Sequence, residues 1–185
     1  MFYKNIVKRK NQSGRSMIEM LGVLAIIGVL SAGGIAGYTM AMALFKTNKA
    51  MDLIKDLSVA IKTFYDNDFT GLTLPILVDL GKVSSEYLKP GTANTDNPVG
   101  WTPFGSEFTV APSDDSLSFS ITMQGVPKNA CVKLGSTNWG DSTSFISLTI
   151  NSSAPITPNT QAQNIANMLS NCTNDTNNTL KWSFE

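Results

Sequence analysis

Few side chains in this sequence are of a type and spacing that could do acid–base or nucleophilic chemistry. Histidine is absent from all 185 residues, which removes the commonest general base and the commonest metal ligand. Asp114 and Asp115 are adjacent carboxylates, but neighbouring strand residues point to opposite faces, and the flanking serines indicate a turn. The sequence therefore predicts a protein that is not an enzyme and needs no metal or other cofactor.

The chain has two cysteines, Cys131 and Cys172, which lack the Cys-x-x-Cys spacing and the histidines of a zinc site. In an exported chain, a single pair of cysteines is most simply a disulfide, and two buried free thiols are the alternative. A bond between them would stabilise the fold by roughly 4 kcal/mol in the chain-entropy estimate. Whether the two cysteines form a disulfide or stay free thiols therefore depends on whether this part of the chain is exported.

The N-terminal part carries an apolar run long enough to cross a membrane. Residues 20–45 contain no charged side chain, and about 20 apolar residues already span a bilayer. A secretory signal has an apolar core of roughly 7 to 15 residues, so this run is too long for one. Four basic residues within the first ten positions favour a cytoplasmic start: Lys4, Lys8, Arg9 and Lys10. The sequence predicts a single-pass helix in the inner membrane with a periplasmic globular part.

The junction between the basic segment and the apolar run reads Gly14-Arg15-Ser16-Met17-Ile18-Glu19. It resembles the type IV pilin family, whose leader ends in glycine and whose mature chain carries glutamate as its fifth residue. The resemblance implies that residues 1–14 are a leader, that a prepilin peptidase cuts between Gly14 and Arg15, and that Glu19 is the fifth mature residue. It also implies a homo-oligomeric fibre, built through the N-terminal helices by a pilus assembly platform.

Glu19 lies at the edge of the hydrocarbon layer, where a carboxylate costs about 2.5 to 3.5 kcal/mol and usually has a partner. In a fibre, the α-amino group of Arg15 of a neighbouring copy would supply that partner and set the axial register. The alternative is that Glu19 reaches back to water. Gly14 and the basic leader favour the first interpretation.

Two features depart from the family pattern. Arg15 stands where an apolar residue is usual, and this change affects whether the new N-terminus is expected to be N-methylated. Ala36 stands where a proline is common. Gly33, Gly34 and Gly37 lie close by, and each is about 1 kcal/mol worse than alanine inside a helix. This glycine cluster is predicted to let the helix bend or melt in a fibre, with close packing through small residues as the alternative.

Beyond residue 45 the apolar run becomes a stripe with helical spacing. The stripe consists of apolar residues at steps of three and four: Ala50, Leu53, Ile54, Leu57, Ala60, Ile61 and Phe64. Together with the apolar run it predicts one helix over residues 15–66, a membrane and fibre shaft to about residue 45 and then the amphipathic spine of a globular region.

Residues 67–185 are predicted to form that globular region. Turn formers between residues 67 and 105 predict a loop region with short helices near 74–80 and 84–88, in which Trp101 is either buried or displayed. The resemblance to pilins implies that this region is a variable surface loop. Strands are predicted at 108–111, 117–124, 145–150 and 180–184, with helical segments after Pro127 and over 161–169.

These elements define an expected α+β fold class. The resemblance makes it a pilin fold, in which the long N-terminal helix packs on an antiparallel sheet and Cys131 and Cys172 bound the C-terminal region. The 14-residue leader and the widely spaced cysteines resemble the type IVb branch, including the thin pili of conjugative plasmids.

The predicted function is therefore structural: a type IVb-like pilus subunit in a cell-surface fibre for adhesion, aggregation or conjugative contact. A pseudopilin of a type II secretion system is the first alternative, which the cysteine pair disfavours. A signal-anchored periplasmic binding protein or enzyme is the second. Removing the four basic residues of segment 1–14 from the total of 14 leaves 10 against 14 acidic residues, which argues against a nucleic-acid partner.

Overall fold

The structure is a computed structural model and describes residues 15–139, 144–158 and 165–185. The chain divides into two compact units, one ending at Met42 and the other, called the head here, running from Ala43 to Glu185. Helix α1 spans Arg15–Tyr65 and contributes residues to both units, each of which is described by itself. The predicted leader, residues 1–14 with Gly14, lies outside the described residues.

Helix α1 is continuous from Arg15, the first described residue, to Tyr65, and it ends one residue before the predicted C-terminal end. The next residue, Asp66, has a left-handed φ of 51°, and its backbone N–H still donates to the carbonyl of Lys62. Within the head, the stripe of α1 that faces the core consists of Ala50, Leu53, Ile54, Leu57 and Ile61, all buried. The prediction that Phe64 packs on the core is wrong, because its side chain is 47% exposed.

The remaining elements follow in chain order. Helices α2, α3 and α4 span Leu74–Asp79, Lys128–Gly135 and Ile165–Asn171, and a single 3₁₀ turn spans Ser85–Tyr87. Strands β1 to β5 span Gly100–Trp101, Glu107–Pro112, Phe119–Val126, Phe145–Ile150 and Asn178–Phe184. The five strands form one antiparallel sheet in the order β1-β2-β3-β5-β4.

The predicted strands and helices are present, with differences at their ends. Leu117 was expected in the strand that holds Phe119, but it lies in the turn before β3 and is 62% exposed. Strand β1 was not predicted, since two residues carry no alternation. Of the helix predicted over 161–169, residues 161–164 lie outside the described residues, and α4 covers the rest.

Successive side chains along each strand point to opposite faces of the sheet, so every second side chain lies in the core. Phe119, Ile121 and Met123 of β3 pair with Phe184, Trp182 and Leu180 of β5 in antiparallel register, and all six are buried. At one end of this face, Phe119 packs against the ring of Phe69 at 4.8 Å and that of Phe184 at 5.4 Å. The first residues after α1 are thereby tied to the sheet.

Two glycines permit close approaches within the head. Gly125 sits at the bulge between Met123 and Val126 with φ of 62°, and a Cβ there would lie 2.5 Å from the Cβ of Ser106. A Cβ on Gly135, at the end of α3, would lie 2.7 Å from the sulfur of Met168 in α4. Larger side chains at these two positions would push apart the turn before β2 and the α3–α4 pair.

Candidate functional site: an exposed apolar helix and a cross-linked head

The first part of α1 is apolar and exposed. Each side chain from Met17 to Ala41 is exposed, including Val29 at 75% and Tyr38 at 66%. By length and composition α1 can cross a membrane, since its most apolar stretch has a mean hydropathy of 2.1 and is not buried. Because a core helix of a water-soluble domain would bury such residues, this apolar segment, residues 17–42, requires lipid or other protein around it.

Glu19 is the one acidic residue of the apolar segment, and the next acid along the chain is Asp52. The carboxylate lies on α1 four residues after Arg15, the first residue of the helix, and it is exposed. One helical turn separates these two positions, so Glu19 and the N-terminus of α1 sit at the same end of the segment. The predicted pairing of Glu19 with the α-amino group of Arg15 joins different copies and stays a prediction.

The glycine cluster, Gly33, Gly34 and Gly37, lies inside an unbroken α-helix. A Cβ built on each of the three would meet nothing within 4 Å. No contact among the described residues of the chain therefore requires glycine at these positions. Bending or close packing of α1 in a fibre remains the prediction for the cluster.

A charged contact fastens the head's surface loop to α1. Lys49 of α1 forms an ion pair with Glu86 in the 3₁₀ turn, and its Nζ lies 5.4 Å from the ring centroid of Phe45 and 6.0 Å from that of Tyr87. The hydrogen bond to Glu86 raises the pKa of Lys49. Burial raises the pKa of Tyr87. The loop between α1 and the sheet is thus ordered where it contacts the helix.

Trp101 of β1 is half-buried beneath a second basic residue of that loop. Lys89 places Nζ 5.2 Å from the Trp101 ring centroid and 3.1 Å from a carboxylate oxygen of Glu107. The ring is buried only in part, so loop pinning and display both stay predictions for this tryptophan. Such an exposed ion pair contributes roughly 0 to 1 kcal/mol on its own.

Cys131 and Cys172 form the predicted disulfide. Cys131 lies in α3, Cys172 directly follows α4, their Cα atoms are 6.0 Å apart, and both residues are fully buried. The bond holds α3 and α4 together and fixes the segment that leads into β5. Among the described residues, no group of three His, Cys, Asp or Glu side chains is placed to hold a metal ion.

A buried asparagine network, not anticipated from the sequence, fastens the same segment. The side chain of Asn178 is fully buried; its Nδ2 donates to the carbonyl oxygens of Val126 and Asn174, and its Oδ1 accepts from the backbone N–H of Asn174. Asn151, at φ of 53° after β4, donates to Asn178 Oδ1 and accepts from the N–H of Thr179. The signals available in the sequence were the asparagines themselves: Asn151 directly follows one predicted strand, Asn178 lies two residues before another, and asparagine tolerates left-handed backbone.

The Asp114–Asp115 pair lies in the turn between β2 and β3, as predicted. Asp115 accepts hydrogen bonds from the hydroxyl of Ser113 and the N–H of Leu117, and the Ser113 hydroxyl holds the pKa of that carboxyl below its usual value. The carboxylate thus orders the turn, an Asx-type arrangement with no catalytic partner among the described residues. The turn interpretation explains both acids.

An exposed apolar helix followed by a small disulfide-closed α+β head is the architecture of a pilin-type subunit. The family model described as PilS N terminal matches residues 50–185. The chain therefore belongs to this family of type IV pilins, and it is a structural, non-enzymatic pilus subunit of type IVb character. Membership implies assembly into a multi-subunit fibre at the cell surface.

Two similar proteins carry the description "Major structural subunit of bundle-forming pilus". The one from Escherichia coli O111:H- is 29% identical over 156 residues, covering 82% of this chain and 78% of the relative. The one from Escherichia coli O127:H6 is 29% identical over 141 residues, covering 74% of this chain and 70% of the relative. These similarities favour a pilus subunit over the pseudopilin and periplasmic-enzyme alternatives.

Two solved structures share the fold. The crystal structure of a type IVb pilin from Salmonella typhi superposes with a TM-score of 0.55 at 21% identity, covering 73% of this chain and 96% of that one. The crystal structure of TcpA, a type IV pilin from Vibrio cholerae El Tor biotype, gives 0.50 at 17% identity, covering 76% and 99%. The predicted fold class is confirmed.

Proposed function

We propose that this pilin is held in the inner membrane by its apolar segment and then moves into a fibre in which copies of that segment surround one another. The uninterrupted exposure of the side chains from Met17 to Ala41 carries the proposal. In lipid these side chains are already among apolar neighbours, so the fibre must bury them equally well when the subunit leaves the membrane. The head stays in the periplasm until extraction and faces outward afterwards.

Processing precedes assembly in this proposal. A prepilin peptidase removes residues 1–14 by cutting between Gly14 and Arg15, which creates a new α-amino group at Arg15. The cut also removes four basic residues that would resist leaving the cytoplasmic side of the membrane. An assembly platform in the membrane then receives the shortened subunit.

Glu19 supplies the register between subunits. The carboxylate of an incoming subunit pairs with the α-amino group of Arg15 in a neighbouring copy, because both charges would otherwise be placed in an apolar bundle without compensation. The exposure of Glu19 and its position one turn from the start of α1 support this role. Pairing also makes assembly selective for cleaved subunits.

The fibre then serves adhesion, aggregation or conjugative contact. The similarity to subunits of bundle-forming pili favours side-by-side association of fibres among these uses. Electron microscopy of cells that express the chain with its assembly machinery would show surface fibres in bundles. Dispersed single fibres would favour adhesion or conjugative contact instead.

The decisive experiment compares Glu19→Ala and Glu19→Gln with the exposed head variant Asp96→Asn at equal membrane levels. We expect a loss of fibres of at least about tenfold for both Glu19 variants, because a buried charge without a partner costs several kcal/mol. The Asp96 variant should assemble normally. Mass spectrometry of sheared fibres should find Arg15 as the first residue; normal fibres from Glu19→Ala, or an intact Met1, would contradict the proposal.

A further inference from the structure

The side of α1 that faces away from the head's core carries an apolar cleft. Val59, Ala60 and Phe64 form its floor, and Val59 and Phe64 are 51% and 47% exposed. The cleft holds about 320 Å³, the space of a few apolar side chains. An exposed apolar surface of this kind is a candidate place for another molecule to dock.

Charged side chains surround the floor of the cleft. Lys55 and Lys82 contribute two positive charges and Asp56 one negative charge. Lys82 lies against the floor itself, with Nζ 5.1 Å from the ring centroid of Phe64. The cleft therefore suits an apolar group that is flanked by carboxylates.

The turn between β2 and β3, residues 113–118, presents such a group. Leu117 is 62% exposed, and Asp114 and Asp115 precede it in the same turn and are exposed too. The turn is ordered from within: the N–H of Ser113 donates to the carbonyl of Ser118 over 2.8 Å, and that of Leu117 to Asp115 over 3.1 Å.

A further bond anchors the turn to the segment that follows α1. The N–H of Phe69 donates to the carbonyl oxygen of Ser116 over 2.9 Å, and the ring of Phe69 is buried in the core. The turn thus already holds Leu117 in an exposed position. Docking would therefore cost little further conformational entropy, which favours binding.

We infer that Leu117 of one subunit docks into the α1 cleft of a second copy, with Asp114 and Asp115 facing Lys55 and Lys82. The inference deepens the proposed function and rests on it, since it assumes a fibre of identical subunits. Turn and cleft are different surfaces of one head, and such a heterologous contact repeats from copy to copy into an open helical filament.

Helix α4 is the competing occupant of the cleft. Ile165 and Leu169 on α4 are also exposed apolar residues, at 61% and 49%. The helix, Ile165–Asn171, contains no charged residue, so it offers nothing to the two lysines. Between these two segments, charge complementarity favours the 113–118 turn.

Cross-linking of whole fibres tests the contact. Full-length subunits carrying Val59→Cys and Leu117→Cys are assembled, sheared from cells and treated with a short bismaleimide. We expect a ladder of dimers and longer multimers on denaturing gels, with no ladder from either single variant or from Val59→Cys combined with Ile165→Cys. A ladder from the Ile165 pair in place of the Leu117 pair would overturn the inference.

A charge exchange tests the same contact without added cysteines. Asp114→Lys should lower the fibre yield about fivefold, which corresponds to roughly 1 kcal/mol per contact. Adding Lys82→Glu to this variant should restore the fibre yield. Asp96→Lys, the same reversal at an exposed acid in another loop, should change the yield little. Equal yields from Asp114→Lys and Asp96→Lys would reject the docking, whereas absence of fibres from the unaltered chain would reject the proposed function instead.

Discussion

Asn178 donates a hydrogen bond from its side-chain amide to the backbone carbonyl of Val126 over 2.9 Å, at the point where the pairing of β3 with β5 shifts register. Val126 and Asn178 are also paired residues of the two strands, so the side-chain bond reinforces the sheet beside the bulge. The same side chain bonds both Asn151 and Asn174. One buried amide thus connects the ends of β3, β4 and β5.

Replacing Asn178 by alanine should lower the free energy of unfolding by about 1 to 3 kcal/mol, because it leaves buried backbone groups without partners. Urea denaturation of the detergent-solubilised chain, followed by tryptophan fluorescence, measures the change. Asn177→Ala, at the exposed neighbouring residue, is the matched control. Equal midpoints for the two variants would show that the network does not stabilise the head.

The double variant Cys131→Ser with Cys172→Ser should lose roughly 2 to 5 kcal/mol of stability, the usual result of removing a native disulfide. The physical reason is that α3, α4 and the segment into β5 lose their covalent link. The unaltered chain should match the variant once its disulfide is reduced with dithiothreitol. A reductant-insensitive midpoint for the unaltered chain would contradict this.

The turn that holds Asp115 should weaken in acid. The hydrogen bond from Ser113 lowers the folded-state pKa of Asp115, so the folded state prefers the ionised carboxylate. The resulting stability is present above the unfolded pKa of about 3.9 and is lost as the pH falls through the lower folded value.

Unfolding free energies of the unaltered chain and Asp115→Asn, compared between pH 6 and pH 2, measure that loss. The unaltered chain should show the steeper fall, because the variant has no carboxylate to protonate at this position. Asp114→Asn, at the neighbouring exposed residue, should retain the steep fall. Parallel curves for the unaltered chain and Asp115→Asn would refute the assignment.

Alanine at Gly33, Gly34 and Gly37 should leave α1 intact in detergent and raise its helicity, since alanine is favoured by about 1 kcal/mol per site and meets no obstacle. Fibre yield should nevertheless fall, because the cluster is proposed to bend or pack closely in the fibre. Gly22→Ala with Gly28→Ala, equally open positions of α1, is the control. Amide hydrogen exchange in assembled fibres separates the mechanisms: fast exchange near Gly34 indicates melting, slow exchange close packing.

The sequence predicted the structure best where one pattern of apolar residues extends over a long segment. Absence of charge over residues 20–45 and the apolar spacing from Ala50 to Ile61 predicted one long helix through both stretches, and its C-terminal end to within a residue. Alternation in β3 and β5 predicted the strands at the centre of the sheet. Export, inferred from the N-terminus, predicted the Cys131–Cys172 bond.

Features that depend on contacts between distant segments could not be predicted. The order of the strands, with β5 between β3 and β4, leaves no trace in local periodicity. Phe64 has the correct spacing for the core stripe, yet its side chain is exposed and its ring lies beside Lys82. The partners of Asn178 come from three separate segments, so its role emerges only when those segments meet.

Strand β5 is the last of the described strands to be synthesised, yet it occupies a central position and is the strand through which β4 joins the sheet. A polypeptide still attached to the ribosome can form the β2–β3 hairpin but cannot close the sheet. A prematurely terminated chain that lacks residues 178–184 would leave β4 detached and the aromatic core open to proteases. The topology thus makes closure of the sheet wait for its C-terminal strand, so a shortened head would expose residues that the complete head buries.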